Sequence, residues 1–136
     1  MKRVLLIAML VFAACDTGNS ADEEAVADVS GTWAAAPMEW IDALGQDVGT
    51  FMTTFVLTQN GPSVAGTCVT TAGLVGSDAP GSVTGMSTDE SLTLTMETPR
   101  YDEPFSTVIW SCDVRAEVWR CTHTHSRDTV DVARLP

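Results

Sequence analysis

Apolar and polar residues alternate with a period of two along most of the chain after residue 30, which is typical of half-buried β-strands. The segment 51–58 shows this most clearly. One of its faces carries Phe51, Thr53, Phe55 and Leu57, and the other carries Met52, Thr54, Val56 and Thr58. Turn-forming residues at Asn60-Gly61 and at 88–90 separate it from further alternating segments. The pattern therefore predicts consecutive antiparallel strands joined by hairpins.

The whole domain is predicted to contain about eight such strands with no long crossover between them. Further strands are expected at 64–71, 81–86, 92–96, 105–112, 117–125 and 129–135. This arrangement predicts an all-β fold, an antiparallel up-and-down barrel over residues 31–136, in which closure removes the exposed sheet edges. The one helical candidate is a short segment at residues 38–44, which ends at Gly45 and is expected to lie across one end of the barrel.

The first fifteen residues follow a different pattern. Two basic residues precede an unbroken apolar run from residue 4 to 12, and Ala13-Ala14-Cys15 follows. This is the layout of a secretory signal, and the run is shorter than the roughly 20 apolar residues that span a bilayer. Ala13-Ala14-Cys15 resembles the lipobox of bacterial lipoproteins, with Phe12 where leucine is usual. The resemblance implies a signal peptide at residues 1–14, acylation of Cys15 and a lipid anchor in the bacterial cell envelope, with inner or outer membrane left open.

Residues 15–30 are interpreted as the acylated cysteine followed by a flexible tether, because they are small, polar and acidic. The full chain has 7 basic and 18 acidic residues, a net charge of −11. Removal of residues 1–14 leaves five arginines against 18 acids, a net charge of −13. Nucleic acid is therefore not an expected partner, and the lipid on Cys15 must provide the contact with the membrane.

The start of the predicted barrel has a recognisable sequence. Gly31-Thr32-Trp33 is similar to the Gly-x-Trp opening of lipocalin-like and avidin-like barrels. The segments 55–61, 64–67 and 81–85 resemble the repeating hairpins of small lipocalin-like domains in bacterial lipoproteins. The resemblance covers most of residues 31–97. It implies that Trp33 closes one end of the barrel as a plug.

Three cysteines remain once Cys15 is assigned to the lipid, which allows one disulfide and one free thiol. Cys112 and Cys121 flank the predicted turn at 113–116, so they should lie opposite each other and pair. A bond from Cys68 to either of them is the alternative that the sequence leaves open.

A possible metal site involves Cys121, His123 and His125, which share one face of a strand. Thiolate and imidazole bind zinc or copper. Strand neighbours two positions apart are separated by about 6.6 Å, so a single strand rarely supplies three ligands to one ion. We therefore predict no metal and no cofactor, with His123 and His125 as the candidates if a metal does bind.

The four tryptophans are first interpreted as core residues. A functional interpretation is an aromatic barrel mouth that binds a small apolar or carbohydrate ligand, for which the candidates are Trp40, Trp110 and Trp119. The predicted inward side chains are large and favour a filled interior with a shallow mouth. They are Phe51, Phe55, Leu57, Leu92, Leu94, Met96 and Trp110.

The chain carries no recognisable catalytic motif. The acid pairs Asp89-Glu90 and Asp102-Glu103 fall in turns, where solvated side chains are expected. We predict a non-enzymatic, monomeric, lipid-anchored envelope protein whose barrel binds a small ligand or a protein partner at one end. The alternative is an inhibitor or interaction module that acts on another protein through its loops. A cavity would favour the first function, and a solid core with a protruding acidic loop would favour the second.

Overall fold

A computed structural model describes residues 26–72 and 77–136. Within these residues the chain forms nine strands and no helix, and the predicted all-β antiparallel fold is confirmed. The strands are β1 (Gly31–Ala35), β2 (Met38–Ile41), β3 (Asp47–Asn60), β4 (Ser63–Ala72), β5 (Ser77–Ser87), β6 (Ser91–Glu97), β7 (Thr107–Asp113), β8 (Trp119–His123) and β9 (Val130–Arg134). No helix of the described residues is long and apolar enough to cross a membrane. The predicted signal peptide and Cys15 lie outside the described residues.

Eight of the strands close into a barrel. Strands β3 to β9 pair in sequence order, each antiparallel to the next. β1 then pairs with β9 on one side and with β3 on the other, where Trp33 lies opposite Phe55. The first and last strands of the barrel thus protect each other's edges.

The ninth strand, β2, shows that the helix predicted at residues 38–44 was wrong. Met38–Ile41 is extended and pairs with the beginning of β3, with Met38 opposite Phe51 and Trp40 opposite Gly49. After Ala36-Pro37, β2 pairs with β3, the same strand with which β1 pairs. Its register along β3 is displaced by one residue relative to the register of β1. A proline has no N–H to donate to a ladder, which accounts for the break at this point.

Large side chains fill the middle of the barrel, as the sequence predicts. Phe55 and Trp110 meet edge to face with 5.2 Å between ring centroids. Six of the seven predicted inward residues are buried, namely Phe55, Leu57, Leu92, Leu94, Met96 and Trp110. The seventh, Phe51, is half-buried because it lies near one opening of the barrel.

The barrel has two different ends. The lower end is the one formed by residues 26–30, 61–62, 88–90 and 114–118. The upper end is the one formed by residues 36–46, 98–106 and 124–129. Both are built from the connections between strands, but they are closed in different ways.

Strand curvature near the lower end depends on Gly66. A Cβ atom at this position would lie 1.9 Å from the carbonyl oxygen of Val56 on the neighbouring strand. Only glycine permits this approach, which lets β3 and β4 bend together into the closed barrel.

Candidate ligand site at the upper end of the barrel

The lower end is covered by residues 26–30, which the sequence analysis assigns to the tether. Val29 is fully buried, and its N–H donates to the side-chain oxygen of Gln59 at 2.8 Å. The amide nitrogen of the same side chain donates to the carbonyl oxygen of Ala27 at 2.9 Å. The indole N–H of Trp33 donates to the carbonyl oxygen of Val29 at 2.9 Å. One glutamine and one tryptophan thus hold the segment across the opening.

Trp33 is also covered by two other side chains. It stacks on Trp119 with 3.5 Å between ring centroids. The guanidinium of Arg134 lies 4.5 Å from the centre of a Trp33 ring, within the range of a cation–π contact. This guanidinium also donates to the carbonyl oxygens of Ser30 and Asp28. The protein's own cation therefore occupies an aromatic face at the lower end.

The predicted disulfide between Cys112 and Cys121 is confirmed. The two residues lie directly opposite each other on β7 and β8, and their sulfurs are bonded. Cys68 is a buried free thiol, so the alternative pairings are wrong. Burial raises the pKa of Cys68 to about 11, which keeps it protonated and a poor nucleophile at neutral pH.

The upper end holds a cluster of aromatic rings around Trp40. The ring of Phe51 stacks on Trp40 with 4.4 Å between centroids, and Phe105 lies parallel to it at 6.2 Å. Tyr101 meets Trp40 edge to face at 6.3 Å. β2, β3 and the connection 98–106 each contribute to this cluster, so barrel closure assembles it from distant parts of the chain.

An open cleft of about 350 Å³ lies against this cluster. Its lining residues are Trp40, Val48, Phe51, Tyr101, Asp102, Glu103 and Phe105. Trp40 is fully buried at the base, whereas Phe51, Tyr101 and Phe105 are half-buried and Val48 is exposed. Asp102 and Glu103 are exposed and form no ion pair with an arginine of the described residues. The cleft thus combines aromatic walls with two carboxylates that have no arginine partner, of which Glu103 accepts a hydrogen bond from the Ser106 hydroxyl at 2.6 Å.

Several buried polar atoms near this end have no hydrogen-bond partner in the described part of the chain. They are the indole nitrogens of Trp40 and Trp110, the hydroxyl of Tyr101 and the hydroxyl of Thr98. Burial raises the pKa of Tyr101, so its hydroxyl stays protonated and can donate. Buried polar groups are normally bonded, and leaving one unbonded costs about 1–3 kcal/mol. A cost of this kind is typical of sites that hold solvent or a ligand.

The two histidines pack against the cluster and donate to protein atoms. The Nδ1 atom of His123 accepts a hydrogen bond from the backbone N–H of His125 at 3.0 Å, so Nε2 carries the proton and faces the sulfur of Met38 at 3.1 Å. The Nε2 atom of His125 lies 3.1 Å from the carbonyl oxygen of Pro104. Burial lowers the pKa of His123 to about 4, which keeps the ring neutral. Within residues 26–72 and 77–136, no three His, Cys, Asp or Glu side chains are grouped to hold a metal.

A second depression of about 500 Å³ lies outside the barrel, between β2 and residues 126–131. Both of its arginines are paired, because Arg127 lies 4.0 Å from Asp47 and Arg120 lies 3.2 Å from Asp131. Glu39 and Asp128 in the same lining have no ion pair among the described residues. This charged groove has no aromatic wall. Its aromatic walls therefore make the cleft beside Trp40 a stronger candidate for a ligand site than this groove.

Only two of the three candidate tryptophans come together. Trp40 and Trp110 both contact His123, with ring centroids at 5.1 and 4.5 Å, whereas Trp119 lies at the lower end. Sequence reasoning missed Tyr101 and Phe105, although two aromatic residues within one short connection were a signal. Comparison of the chain with protein-family models, curated proteins and solved structures found no significant match.

Proposed function

We propose that this chain is a non-enzymatic, lipid-anchored envelope protein whose lipocalin-like barrel binds a small ligand at its upper end. The observation that carries the proposal is the cleft of about 350 Å³ beside Trp40, with its aromatic walls and nearby unpartnered donors. Its volume lies at the lower end of the range for small-molecule sites, about 300–1,000 Å³. A mostly apolar cleft with a few polar groups is the usual form of such a site.

The contrast with the rest of the barrel supports this location. Large side chains fill the middle, and residues 26–30 are bonded across the lower end. Two of the residues with buried polar atoms that lack partners among the described residues, Trp40 and Tyr101, line the upper cleft instead. A ligand at the upper end would cover the half-buried rings of Phe51, Tyr101 and Phe105.

The position of residues 26–30 indicates how the site would be oriented relative to the membrane. Residues 26–30 reach the barrel at its lower end. A lipid on Cys15 would therefore hold the lower end toward the membrane. The upper cleft would then face away from the bilayer, where small solutes reach it.

Native mass spectrometry tests ligand binding directly. The protein is purified from the producing cells without denaturation, and its intact mass is compared with that of a Tyr101→Ala/Phe105→Ala variant. We expect a non-covalent adduct on the original protein that is lost from this variant. A Val118→Ala variant, changed at an exposed site of the lower end, should keep the adduct. An adduct retained by the cleft variant, or no adduct on any protein, would contradict the proposal.

Membrane fractionation tests the anchor. The Cys15→Ser variant should no longer be found as a processed protein in the membrane fraction. Metabolic labelling with a fatty acid should mark the original chain and not the variant. A processed Cys15→Ser protein that stays with the membrane would show that the anchor lies elsewhere.

A protein-binding function is the second candidate, and both the filled middle of the barrel and the β2–β3 hairpin favour it. Leu44 at its tip is 83% exposed. The Asp42 carboxylate accepts hydrogen bonds from the backbone N–H groups of Leu44 and Gln46, both at 2.9 Å, which holds the tip in one conformation. A preorganised loop loses less entropy on binding. If the first function is correct, a Leu44→Ser variant should still bind the small ligand. If the second is correct, the variant should no longer inhibit its protein partner.

A further inference from the structure

We propose that the upper cleft binds an organic cation, a small alkylated ammonium group, rather than a neutral or anionic ligand. This inference rests on the proposed function and names the chemical class of its ligand. It follows from the arrangement of the rings, the charge at the rim and the comparison with the lower end.

The aromatic residues that line the cleft present their rings at different orientations instead of forming one flat platform. Tyr101 stands at 80° to Trp40 and at 80° to Phe51, whereas Trp40 and Phe51 are nearly parallel, at 26°. A sugar ring binds well on a single flat aromatic face. A compact ammonium group is instead attracted to several ring faces at once, because each face carries partial negative charge. The different orientations of the rings along the cleft therefore favour the cation.

The charge at the rim has the sign that a cation requires. Asp102 and Glu103 lie at the cleft, and neither is paired with an arginine of the described residues. The neighbouring Arg100 instead donates to the carbonyl oxygen of Asp78 at 2.6 Å. Carboxylates next to a poorly solvated aromatic surface attract cations and repel anions.

The lower end shows how an aromatic face and a cation combine in this protein. There, the guanidinium of Arg134 lies over Trp33 at 4.5 Å. Among the described residues, no arginine is found over Trp40, Phe51 or Tyr101. No arginine of the described residues therefore blocks the exposed parts of Phe51 and Tyr101 from a cation outside the chain, whereas Trp40 is fully buried.

A bare metal ion does not fit the same cleft. Metal ions need several oxygen, nitrogen or sulfur ligands at about 2.0–2.6 Å. The cleft offers only two carboxylates beside apolar walls, and the part of the chain that the structure describes has no three metal ligands grouped together. An alkylated ammonium ion needs no such coordination, because its methyl groups contact the rings directly.

Calorimetric titration of the full-length protein with choline and 3,3-dimethyl-1-butanol tests the charge requirement. The two molecules have nearly the same shape, but the second has carbon in place of the charged nitrogen. We expect choline to bind about tenfold more tightly than the neutral alcohol. Equal affinities would overturn the cation inference and leave the ligand site intact. Failure of both to bind would overturn the cation inference, and the proposed function would then stand or fall on the adduct measurement alone.

Two matched double variants test whether the rim acts locally. Asp102→Asn/Glu103→Gln removes the two carboxylates at the cleft, and Asp89→Asn/Glu90→Gln makes the same change in net charge at the lower end. The first should weaken choline binding about fivefold or more, and the second by less than about twofold. Equal weakening of choline binding in both variants would show that only the net charge matters, and would contradict a cation site at the cleft.

Phosphocholine distinguishes a free cation from a lipid headgroup. It carries the same ammonium group together with an anionic phosphate. The acidic rim should make phosphocholine bind about tenfold more weakly than choline, which supports a free cation as the ligand. Tighter binding of phosphocholine would contradict a cation-selective rim and overturn the inference as stated.

Discussion

The two ends of the barrel use tryptophan in different ways. At the lower end, Trp33 donates its indole N–H to Val29, stacks on Trp119 and is covered by Arg134. At the upper end, Trp40 is equally buried, but its N–H finds no acceptor in the described part of the chain. Burial alone therefore does not separate a packing residue from a site residue. The hydrogen bonds and charges around each ring make the distinction.

The charged groups differ between the two ends only in part. Asp113 at the lower end is paired with Arg115, which lowers the pKa of this carboxyl to about 2. Asp102 and Glu103 at the upper end have no arginine partner among the described residues, and the turn acids at 89–90 of the lower end have none either. The position of Asp102 and Glu103 beside an aromatic cleft, and not their lack of an ion pair, therefore distinguishes them.

The largest expected effect comes from removing either buried tryptophan. Trp33→Ala and Trp40→Ala should each lower the free energy of unfolding by about 3–5 kcal/mol, because both rings are almost fully buried. Denaturant unfolding followed by circular dichroism measures both values. A loss below about 1 kcal/mol for Trp40→Ala would show that this ring is a peripheral cover and not part of the fold.

Acid should weaken the upper end through His123. Its pKa is about 4 in the folded protein and about 6.5 in the unfolded chain, so the unfolded state takes up the proton first as the pH falls. The free energy of unfolding should therefore decrease between pH 6.5 and pH 4, by about 3 kcal/mol in total. Denaturant unfolding across this range should show the decrease in the original protein and in His125→Gln, and much less of it in His123→Gln. The same slope in all three proteins would contradict this assignment.

The disulfide should contribute somewhat less. Cys112 and Cys121 are nine residues apart, and closing a loop of this size in the unfolded chain is worth roughly 2–3 kcal/mol. A Cys112→Ala/Cys121→Ala variant should keep the barrel and lose about this much stability. Cys68→Ala serves as the control, since this thiol forms no disulfide. Equal stability of the double variant and the original protein would mean that the hairpin needs no covalent link.

The smallest effect is expected from Arg134. Replacing it with leucine removes the cation over Trp33 and the hydrogen bonds to Ser30 and Asp28. Because the side chain is exposed, we expect a loss of about 1 kcal/mol in the free energy of unfolding. Arg120→Leu, at an exposed ion pair, should cost less. If Arg120→Leu lowers the free energy of unfolding more than Arg134→Leu does, the contact of Arg134 with Trp33 contributes no more stability than an exposed ion pair.

The fold was largely predictable because it depends on local patterns. Alternation at 51–58 and 92–96 places the correct residues inside, and turn residues mark where the strands reverse. The disulfide followed from the same hairpin geometry. The segment 38–44 was misjudged because its apolar residues fit a helical period as well as a strand period. Pairing with β3, a tertiary effect, decides between the two.

The candidate site was less predictable because barrel closure assembles it. Trp40 could be singled out from its residue type alone. Its contacts with Tyr101 and Phe105 join residues about sixty positions apart, and no local pattern indicates them. Asp102 and Glu103 have the sequence of ordinary turn acids. Only their position beside the aromatic cleft distinguishes them from Asp89 and Glu90.

The most direct test of the difference between the two ends is a nuclear magnetic resonance titration of the four indole N–H signals with choline. Each signal is assigned by a single tryptophan-to-phenylalanine substitution. The indole N–H of Trp40 should shift with saturation, whereas those of Trp33 and Trp119 should stay unchanged. A saturable shift confined to Trp33 or Trp119 would contradict a ligand site at the upper end, and no saturable shift in any signal would contradict the cation inference.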